Sequence, residues 1–428
     1  MNTGFDAGRT PAGGAKEMTP HLLLIVIVPF GMGYFLSFFF RNTNAVLAPE
    51  LARTFGLGAS EIGILTSVFF LVAALQYVPL ALLLDRYGPK RLFIGQIVMT
   101  AIACIITARA DSFAMLVAGR ALLGFGLAAC LTTAFKAVTV WFPRDRFATA
   151  NGLILFAGSF GALASTRPLQ MVLDAYGWRD MFLATSVLCA ILAVAVYFII
   201  PEGNAAPSKD KRSSLAVYRE ILTHPVFWRA SPAAAIGLAG FFTIQSLWAN
   251  GWMSDVAGLT QVEIGERLLV IALSMSAGTL VNGAMIDHLA RRGVDRSAYL
   301  AGGLVALVFA EFAIAAELDP KAYWPWIVMG FTGNIGATVH PILNRTYPAS
   351  YAARSISTIA VFTFVLVFAI QAGVGFVLDL WGADAAGRYP VEAYRWGFGC
   401  FVGAQALCVL WLSLNLKRLR FEASKVAG

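Results

Sequence analysis

The chain has 428 residues, of which 58% are hydrophobic and only 13% are charged, and its mean hydropathy is +0.72. A single water-soluble core of this length could not bury so much apolar side chain, so the surplus must face lipid. The formal net charge of +8 reflects an excess of basic residues in the loops, as in a membrane protein, and gives no indication of a nucleic-acid surface.

Twelve apolar stretches follow one another along the chain, and a helix needs about 20 residues to cross a bilayer. We number them span 1 to span 12, in chain order: 21–49, 61–84, 92–109, 114–140, 147–169, 181–200, 229–254, 263–286, 297–316, 323–344, 355–378 and 394–416. The sequence therefore predicts an all-α membrane protein with 12 transmembrane helices.

Span 1 follows a polar segment and is too long for a cleaved signal peptide, so we expect it to remain in the protein. The five cysteines lie in apolar segments without the close spacing of a metal site: Cys104, Cys130, Cys189, Cys400 and Cys408. We expect neither disulfides nor a metal cluster.

A polar interval, residues 201–228, separates the first six spans from the last six. It contains Lys209, Lys211 and Arg212 and a short amphipathic stretch from Ser214 to Leu222. The sequence thus predicts a six-helix bundle at 1–200, a cytoplasmic linker at 201–228 and a second six-helix bundle at 229–428.

The basic residues concentrate in alternate loops, because positive charge resists export. If the N-terminus is cytoplasmic, one side holds Arg86, Lys90, Arg91, Arg144, Arg146, the linker cluster, Arg291, Arg292, Arg296, Arg345, Arg354, Lys417, Arg418 and Arg420. The opposite loops hold few, so we predict that both termini are cytoplasmic in the inner (plasma) membrane.

An internal repeat indicates that the two halves are equivalent. Val172-Leu173-Asp174, before Gly177, recurs 205 positions later (174 to 379) as Val377-Leu378-Asp379, before Gly382. The loop after span 2, Asp85-Arg86-Tyr87-Gly88-Pro89-Lys90-Arg91, has a counterpart after span 8, where Asp287 precedes Arg291-Arg292-Gly293. The repeat predicts two pseudo-symmetric bundles.

The loop after span 2 resembles the signature G-x-x-x-D-R-x-G-x-x-R of the major facilitator superfamily, with Ala81 in place of the leading glycine. The resemblance implies the major facilitator fold and a gating latch formed by Asp85, Arg86, Arg91 and Asp287. The alternative is ordinary positive charge on the cytoplasmic side.

The N-terminal half further resembles the anion:cation symporters and organophosphate permeases of that superfamily. Arg41 and Pro49 are spaced like an arginine and a proline of their first helix, and Lys136 precedes Trp141-Phe142-Pro143 as a cation does in their fourth. Phe40 and Leu127 stand where the symporters commonly carry acids, which puts the family's mechanism of proton coupling in doubt.

Arg41 is the leading candidate for substrate contact. It shares one helical stripe with Tyr34, Ser37 and Asn44, at spacings of 3, 4 and 3, and lipid would not tolerate so polar a face. A charge deep in a span costs about 2.5 to 3.5 kcal/mol on insertion scales. The alternative is an arginine that snorkels to the outer headgroups.

Span 4 carries two further cations. Arg120 and Lys136 are 16 residues apart, which is about 24 Å and about 160° around a helix, so they do not easily share a face. We interpret Arg120 as a structural buttress to a neighbouring helix, with substrate contact as the alternative. Lys136 lies either in the cavity or at the inner headgroups.

Apart from Glu61 at the first position of span 2, the spans of the N-terminal half hold no acid beside these cations, which predicts a cavity for anionic or zwitterionic solutes. Apart from Glu263 and Glu266 at the start of span 8, Glu311 is the one acid inside a span of the C-terminal half, and it could titrate and couple transport to a proton. Its position near the outer end of span 9 favours a solvated carboxylate instead.

The C-terminal half offers neutral polar groups. Gln245, Trp248 and Trp252 form a stripe on span 7, and His340 and Asn344 form an i, i+4 pair on span 10. These could orient a substrate opposite Arg41. The tryptophans could equally pack or form an interfacial belt, and His340 could satisfy a carbonyl freed by Pro341.

The sequence has no Gly-Lys-Ser/Thr phosphate loop, no nucleophile triad and no metal spacing, so an enzyme or an ATP-driven pump is not supported. We predict a monomeric secondary carrier that moves a small organic anion or zwitterion inward by alternating access. A proton or a sodium ion is the candidate coupling ion, and no cofactor is expected. The alternatives are an efflux carrier for amphipathic compounds, disfavoured because span 5 lacks a Gly-Pro pair, and a solute sensor.

Overall fold

The structure is a computed structural model, and it describes residues 23–143, 146–201, 214–348, 351–385 and 387–419. Regular secondary structure within these ranges is helical throughout, without a strand. This agrees with the prediction of an all-α protein.

In the N-terminal half, several spans are built from more than one helix. Span 1 consists of a π-helix, Leu23–Ile27, followed by Val28–Asn42 and Asn44–Phe55. Spans 2 and 3 form one element, Ala59–Ala108, which turns at Gly88 with φ 73°. Span 4 comprises Phe113–Leu127 and Cys130–Trp141, and span 5 begins as Phe147–Ala164. The helix Arg167–Ile199 completes span 5 and, after Gly177, forms span 6.

The linker, which precedes the C-terminal half, forms a helix at Ser214–Thr223. Span 7 comprises Pro225–Thr243, a π-helix at Ile244–Trp248 and Ala249–Asp255. Spans 8 and 9 are Gln261–Arg291 and Arg296–Ala315. Span 10 is divided into Trp324–Thr332, a 3₁₀-helix at Ile335–Thr338 and Val339–Thr346, and spans 11 and 12 are Ala352–Trp381 and Val391–Leu414.

Ten helices of the described ranges are long and apolar enough to cross a membrane. Spans 5 and 10 are the two predicted crossings that lack such a helix of their own. Span 5 is interrupted after Ala164 and span 10 after Thr332, so each crossing is assembled from shorter pieces. The architecture is compatible with twelve crossings.

The outer surface of the molecule is apolar, as a lipid environment requires. Several spans carry large hydrophobic side chains whose surface is mostly exposed. Examples are Phe198 (77% exposed), Leu280 (72%) and Leu407 (69%). Exposed apolar surface on this scale would be unstable in water, so these side chains face lipid.

The linker helix packs against the C-terminal half. Tyr351 donates a hydrogen bond to the Glu220 carboxylate (2.7 Å), and Tyr347 donates one to the carbonyl of Ile221 (3.1 Å). The helix of span 7 begins at Pro225, four residues before the predicted bundle boundary, because proline is well suited to the first helical turn.

The two halves meet along three pairs of spans: 1 with 7, 2 with 11, and 5 with 8. Spans 2 and 11 approach most closely where side chains are absent. A Cβ on Gly63 would lie 2.8 Å from the carbonyl oxygen of Gln371, and one on Gly375 would lie 2.4 Å from that of Ala59. Glycine at both positions lets the backbones of the two halves touch.

Candidate substrate site

The polar stripe of span 1 faces the interior of the protein. Tyr34, Ser37, Arg41 and Asn44 are all less than a tenth exposed. Lipid-facing polar groups would have no partners, so burial among other spans is the arrangement expected for this stripe.

The guanidinium of Arg41 lies where the two halves meet, surrounded by aromatic rings. Its Cζ atom is 4.7 Å from the ring centroid of Phe38, on its own span, 5.4 Å from that of Phe242 on span 7, and 5.6 Å from that of Phe364 on span 11. Each distance is within the range of cation–π attraction. Arg41 is only 7% exposed, so it does not snorkel to the headgroups.

No described carboxylate pairs with this guanidinium, and its buried Nε has no hydrogen-bond partner among the residues that the structure describes. In the part of the chain that the structure describes, ring faces are therefore the groups that lie against this charge. Because a buried cation without a counterion is costly, an anion that enters this region would be attracted strongly.

The rings around Arg41 belong to a larger aromatic cluster that bridges the halves. Phe70 and Tyr77 of span 2 lie 5.6 Å and 5.8 Å, centroid to centroid, from Phe364 of span 11. Phe70 also stacks on Phe242 at 6.5 Å, and Tyr34 meets Phe38 edge-on at 5.1 Å. We call these six side chains the aromatic box: Tyr34, Phe38, Phe70, Tyr77, Phe242 and Phe364.

Span 5 makes room for the box. A Cβ on Gly158 would lie 2.4 Å from Cε1 of Tyr34, so the tyrosine ring lies directly on the glycine backbone. A larger residue at 158 would push Tyr34 toward Phe38, and the position of the box thus depends on a glycine of another span.

The predicted residues of span 7 are held mainly within their own half. The indole of Trp248 donates to the carbonyl of Gln371 (3.3 Å), and the amide of Gln371 donates to Ser246 (2.6 Å). Trp248 and Trp252 are 5% and 1% exposed, so their interpretation as an interfacial belt is wrong. Both lie at or just after the π-helix, whose wide turn often marks a functional site.

Gln245 reaches a small polar gap between the halves. The gap of about 10 Å³ is lined by Asn42, Ser165, Thr166 and Gln245 together with apolar residues. Oε1 of Gln245 and both terminal atoms of Asn42 lack hydrogen-bond partners among the described residues. About one water molecule would fill a gap of this size.

The remaining predicted contacts are not brought together at Arg41. Asn44 donates to Thr66 of span 2 (2.7 Å), which ties two spans of one half together. Lys136 is half-buried, and His340 is half-buried with a buried Nδ1 that lacks a partner in the described part of the chain. The side chain of Asn344 lies outside the described residues. Direct substrate contact by these four residues stays a prediction.

Arg120 is buried against span 2. It is 4% exposed, its Cζ lies 5.3 Å from the ring centroid of Phe69, and none of its three nitrogens has a hydrogen-bond partner among the described residues. The helices around it are tightly packed, since a Cβ on Gly124 would lie 2.5 Å from the Phe69 carbonyl oxygen. This position between spans 4 and 2 fits a buttress.

Glu311 is completely buried within the C-terminal half, so the expectation of a solvated carboxylate is wrong. The residue lies near Gln405 of span 12, because Oε1 of both side chains comes within 3.2 Å of a Cβ built on Gly240. The distance of Glu311 from the end of its span can be read from the sequence, but its burial within the bundle cannot.

The predicted latch falls largely on undescribed side chains. Those of Asp85 and Asp287 lie outside the described residues, while Arg86 and Arg91 are exposed. The guanidinium of Arg86 lies over the ring of Tyr87, 5.3 Å from its centroid. The turn itself requires Gly88, whose φ of 73° is unfavourable for other residues. Gating by this loop stays a prediction.

The contact between the halves at Asp379 was not predicted from the sequence. Asp379, at the end of span 11, accepts hydrogen bonds from the backbone N–H groups of Ala59 (3.0 Å) and Ser60 (2.8 Å) and from the Ser60 hydroxyl. These groups begin span 2, whose N-cap, Gly58, has no side chain to cap the helix. We call this contact the Asp379 clasp.

Tyr389 completes the clasp. Its hydroxyl donates to Asp379 (2.8 Å) and accepts from the backbone N–H of Ala59 (2.9 Å). Burial, followed by the hydrogen bond to Asp379, raises the pKa of Tyr389 to about 12, so the phenol keeps its proton at physiological pH. The clasp therefore joins the halves through neutral donors, which are two backbone N–H groups and two hydroxyls, and the Asp379 carboxylate is their main acceptor.

Beside the clasp, a cavity of about 650 Å³ lies between the halves where spans 1 and 7 end. Both halves line it, with Arg53 from one and Asn250, Asp255 and Arg388 from the other, and Trp248 forms part of its wall. The cavity is large enough for a small organic solute.

Sequence reasoning missed the aromatic box and the clasp. Phe242, Phe364 and Tyr77 carry no signal, since the chain contains 32 phenylalanines and 12 tyrosines. Asp379 did carry one, because it belongs to the repeat that marks the two halves. The matching Asp174 accepts instead from Gln170 within its own span (2.8 Å), and span 8 has its own capping box at Thr260 and Glu263.

Comparisons with known proteins agree with this architecture. The sequence model of the Major Facilitator Superfamily matches residues 30–375. The chain is 24% identical over 277 residues to the probable L-galactonate transporter of Escherichia coli K12, a match that covers 60% of each protein. It is 21% identical over 439 residues to the probable galactarate/D-glucarate transporter GarP of the same organism, covering 94% of this chain and 96% of GarP.

The fold matches a bacterial homologue of the human lysosomal transporter Spinster, solved in an inward-facing and unoccupied conformation. The TM-score is 0.75 at 18% identity, over 95% of this chain and 98% of the other. This confirms the prediction of the major facilitator fold. The chain belongs to the major facilitator superfamily and is a multi-pass membrane transporter of small molecules, not an enzyme.

Proposed function

We propose that the protein is a secondary carrier for a small organic anion or zwitterion, with Arg41 as the anchor of the anionic group. The observation that carries this proposal is the buried guanidinium between the two halves, without a carboxylate partner among the described residues. A carboxylate or phosphate would form charge-assisted, bidentate hydrogen bonds with it.

The location of Arg41 supports alternating access. Its ring contacts come from both halves, so a rocking movement of one half against the other would open and close the region around it. The relatives that are described as transporters of galactonate and of galactarate/D-glucarate are consistent with an organic acid as substrate.

The finer features of the proposal rest on the sequence. We infer that both termini lie in the cytoplasm, because basic residues concentrate in the loops on one side. Uptake across the inner membrane by a monomer is also part of the proposal. Glu311 is the proposed site of coupling to a proton, and Asp85, Arg86, Arg91 and Asp287 are the proposed gate on the linker side. Gln245, Trp248 and His340 are proposed to complete the substrate site.

The test is a thermal-shift screen of the purified protein against carboxylates, phosphate esters and amino acids. Three proteins are compared: the unmodified chain, Arg41→Ala, and Arg109→Ala as the control. Arg109 lies at the end of span 3 in the same half, and its side chain is exposed.

We expect at least one anion to stabilise the unmodified protein and Arg109→Ala but not Arg41→Ala. Ligands that are cationic or lipophilic, or anions that stabilise all three proteins equally, would contradict the proposal. Lipophilic ligands would favour the alternative of an efflux carrier for amphipathic compounds, and binding without transport in proteoliposomes would favour a sensor.

A further inference from the structure

We propose that the substrate is an organic anion whose body is aromatic, such as an aryl carboxylate, rather than a polyhydroxylated sugar acid. This inference rests on the proposed function, because it assigns the charged group of the substrate to Arg41. The new element is the chemistry of the walls around that arginine.

The walls are ring faces. Phe38, Phe242 and Phe364 are the described rings within 5.6 Å of the guanidinium, and they come from both halves. Phe70 and Tyr77 extend the same surface along span 2. A flat aromatic body can stack on such rings, edge-on or offset, while its carboxylate meets the guanidinium.

Three of the hydrogen-bonding groups in this region are already used within the protein, and on the stripe of span 1 the Ser37 hydroxyl is left without a partner among the described residues. The amide of Asn44 donates to Thr66, the amide of Gln371 donates to Ser246, and the indole of Trp248 donates to a backbone carbonyl. Hydroxyl groups placed against phenylalanine rings would lose their bonds to water without replacement. The site therefore penalises a sugar acid.

The polar gap beside Asn42 and Gln245 limits how much polar substrate the region can accept. At about 10 Å³ it holds about one water molecule, or one small substituent such as a hydroxyl or amino group. It cannot accommodate the run of hydroxyl groups found in a sugar acid. The inferred class thus differs from the acids for which the relatives are described.

The test compares two monocarboxylates of equal charge, phenylacetate and gluconate, by the concentration of each that half-saturates the thermal shift. The variants are Phe364→Leu and Phe38→Leu, which remove one ring from each half and retain apolar volume. Phe376→Leu is the matched control, because Phe376 lies on the same span as Phe364 but is 62% exposed. Arg41→Ala separates this inference from the proposed function.

We expect phenylacetate to half-saturate at a concentration at least about tenfold below that of gluconate, as stacking on several rings would produce. Phe364→Leu or Phe38→Leu should reduce this preference about fivefold, and Phe376→Leu should leave it unchanged. Phe38→Leu keeps the test decisive if Phe364→Leu is not monodisperse.

Equal or tighter binding of gluconate that still requires Arg41 would overturn the inference and leave the proposed function intact. Phenylacetate binding that survives Arg41→Ala would overturn the proposed function, and the inference would fail with it. The absence of a shift with either acid would also overturn the inference.

Discussion

At the scale of single residues, the buried charges of Arg120 and Glu311 need an explanation. Arg120 and Glu311 are 4% and 0% exposed, one in each half, and atoms of both lack hydrogen-bond partners among the described residues. Burying a charged group without a partner is costly, so each is expected to serve stability through packing or to take part in transport.

For Arg120 we predict a packing role. Arg120→Ala should lower the melting temperature, because it leaves a cavity between spans 2 and 4 and costs about 2 to 5 kcal/mol. Arg120→Met refills that volume and should restore the melting temperature, since an apolar side chain often replaces a buried charge without loss. Thermal unfolding in detergent checks both. If Arg120→Met instead abolished anion binding, Arg120 would be a substrate contact.

For Glu311 we predict a role in coupling. Glu311→Gln keeps the shape of the neutral acid, so the protein should fold, and exchange of substrate across proteoliposomes should persist. Uptake driven by an imposed proton gradient should fall at least about tenfold, because no proton can bind or leave the amide. The exposed Glu266→Gln serves as control. Gradient-driven uptake at the unmodified rate would remove Glu311 from the coupling mechanism.

At the scale of elements, the start of span 2 depends on the opposite half for its cap. Gly58 offers no side chain, so Asp379 and Tyr389 supply the acceptors for the first backbone N–H groups. The carboxylate also interacts favourably with the positive end of the helix. The stability of the state in which the clasp holds the two halves together is therefore linked to the N-terminus of span 2.

We predict that Asp379→Asn loosens this closure. Ile62 lies beside the clasp and lines the cavity, yet is only 6% exposed, so Ile62→Cys reports on opening. In a background in which the exposed Cys400 is replaced by Ser, a hydrophilic maleimide should label Ile62→Cys about threefold faster or more, since hydrogen bonds to a charged group contribute about 1.5 to 3 kcal/mol.

Asp384→Asn is the matched control for the clasp. Asp384 lies in the loop that follows span 11 and forms an ion pair with Arg388 (3.2 Å), a contact within the C-terminal half. Labelling of Ile62→Cys should not change in this variant. Equal labelling rates in Asp379→Asn and the unmodified background would show that the clasp does not hold the halves closed.

At the scale of the whole molecule, the sequence predicted the membrane, the order of the spans and the superfamily. These follow from apolar length and from the loop at Asp85, which are local properties. It did not show that spans 5 and 10 are broken, although Ser165-Thr166-Arg167-Pro168 and Gly333-Asn334 stand at the interruptions after Ala164 and Thr332, because a short polar stretch of this kind does not by itself end a span. Nor could it select the aromatic box, since the choice of rings depends on how the halves face each other.

Arg41 was found from sequence because a charge and a polar stripe stand out in an apolar span. Glu311 was found for the same reason but was assigned the wrong environment, as its distance from the end of the span says nothing of its burial within the bundle. Phe242 and Phe364 were missed because an aromatic residue in a span usually faces lipid or core. Which rings lie around Arg41 depends on the contacts between the two halves.

The most direct test of the central role of Arg41 is substrate exchange. Proteoliposomes are loaded with an acid that stabilises the unmodified protein, and entry of the labelled acid is compared for the unmodified chain, Arg41→Ala and Arg109→Ala. Loss of the Arg41 guanidinium should reduce exchange at least about tenfold, whereas Arg109→Ala should stay within about twofold. Exchange by Arg41→Ala at the unmodified rate would contradict Arg41 as the anchor of the anion.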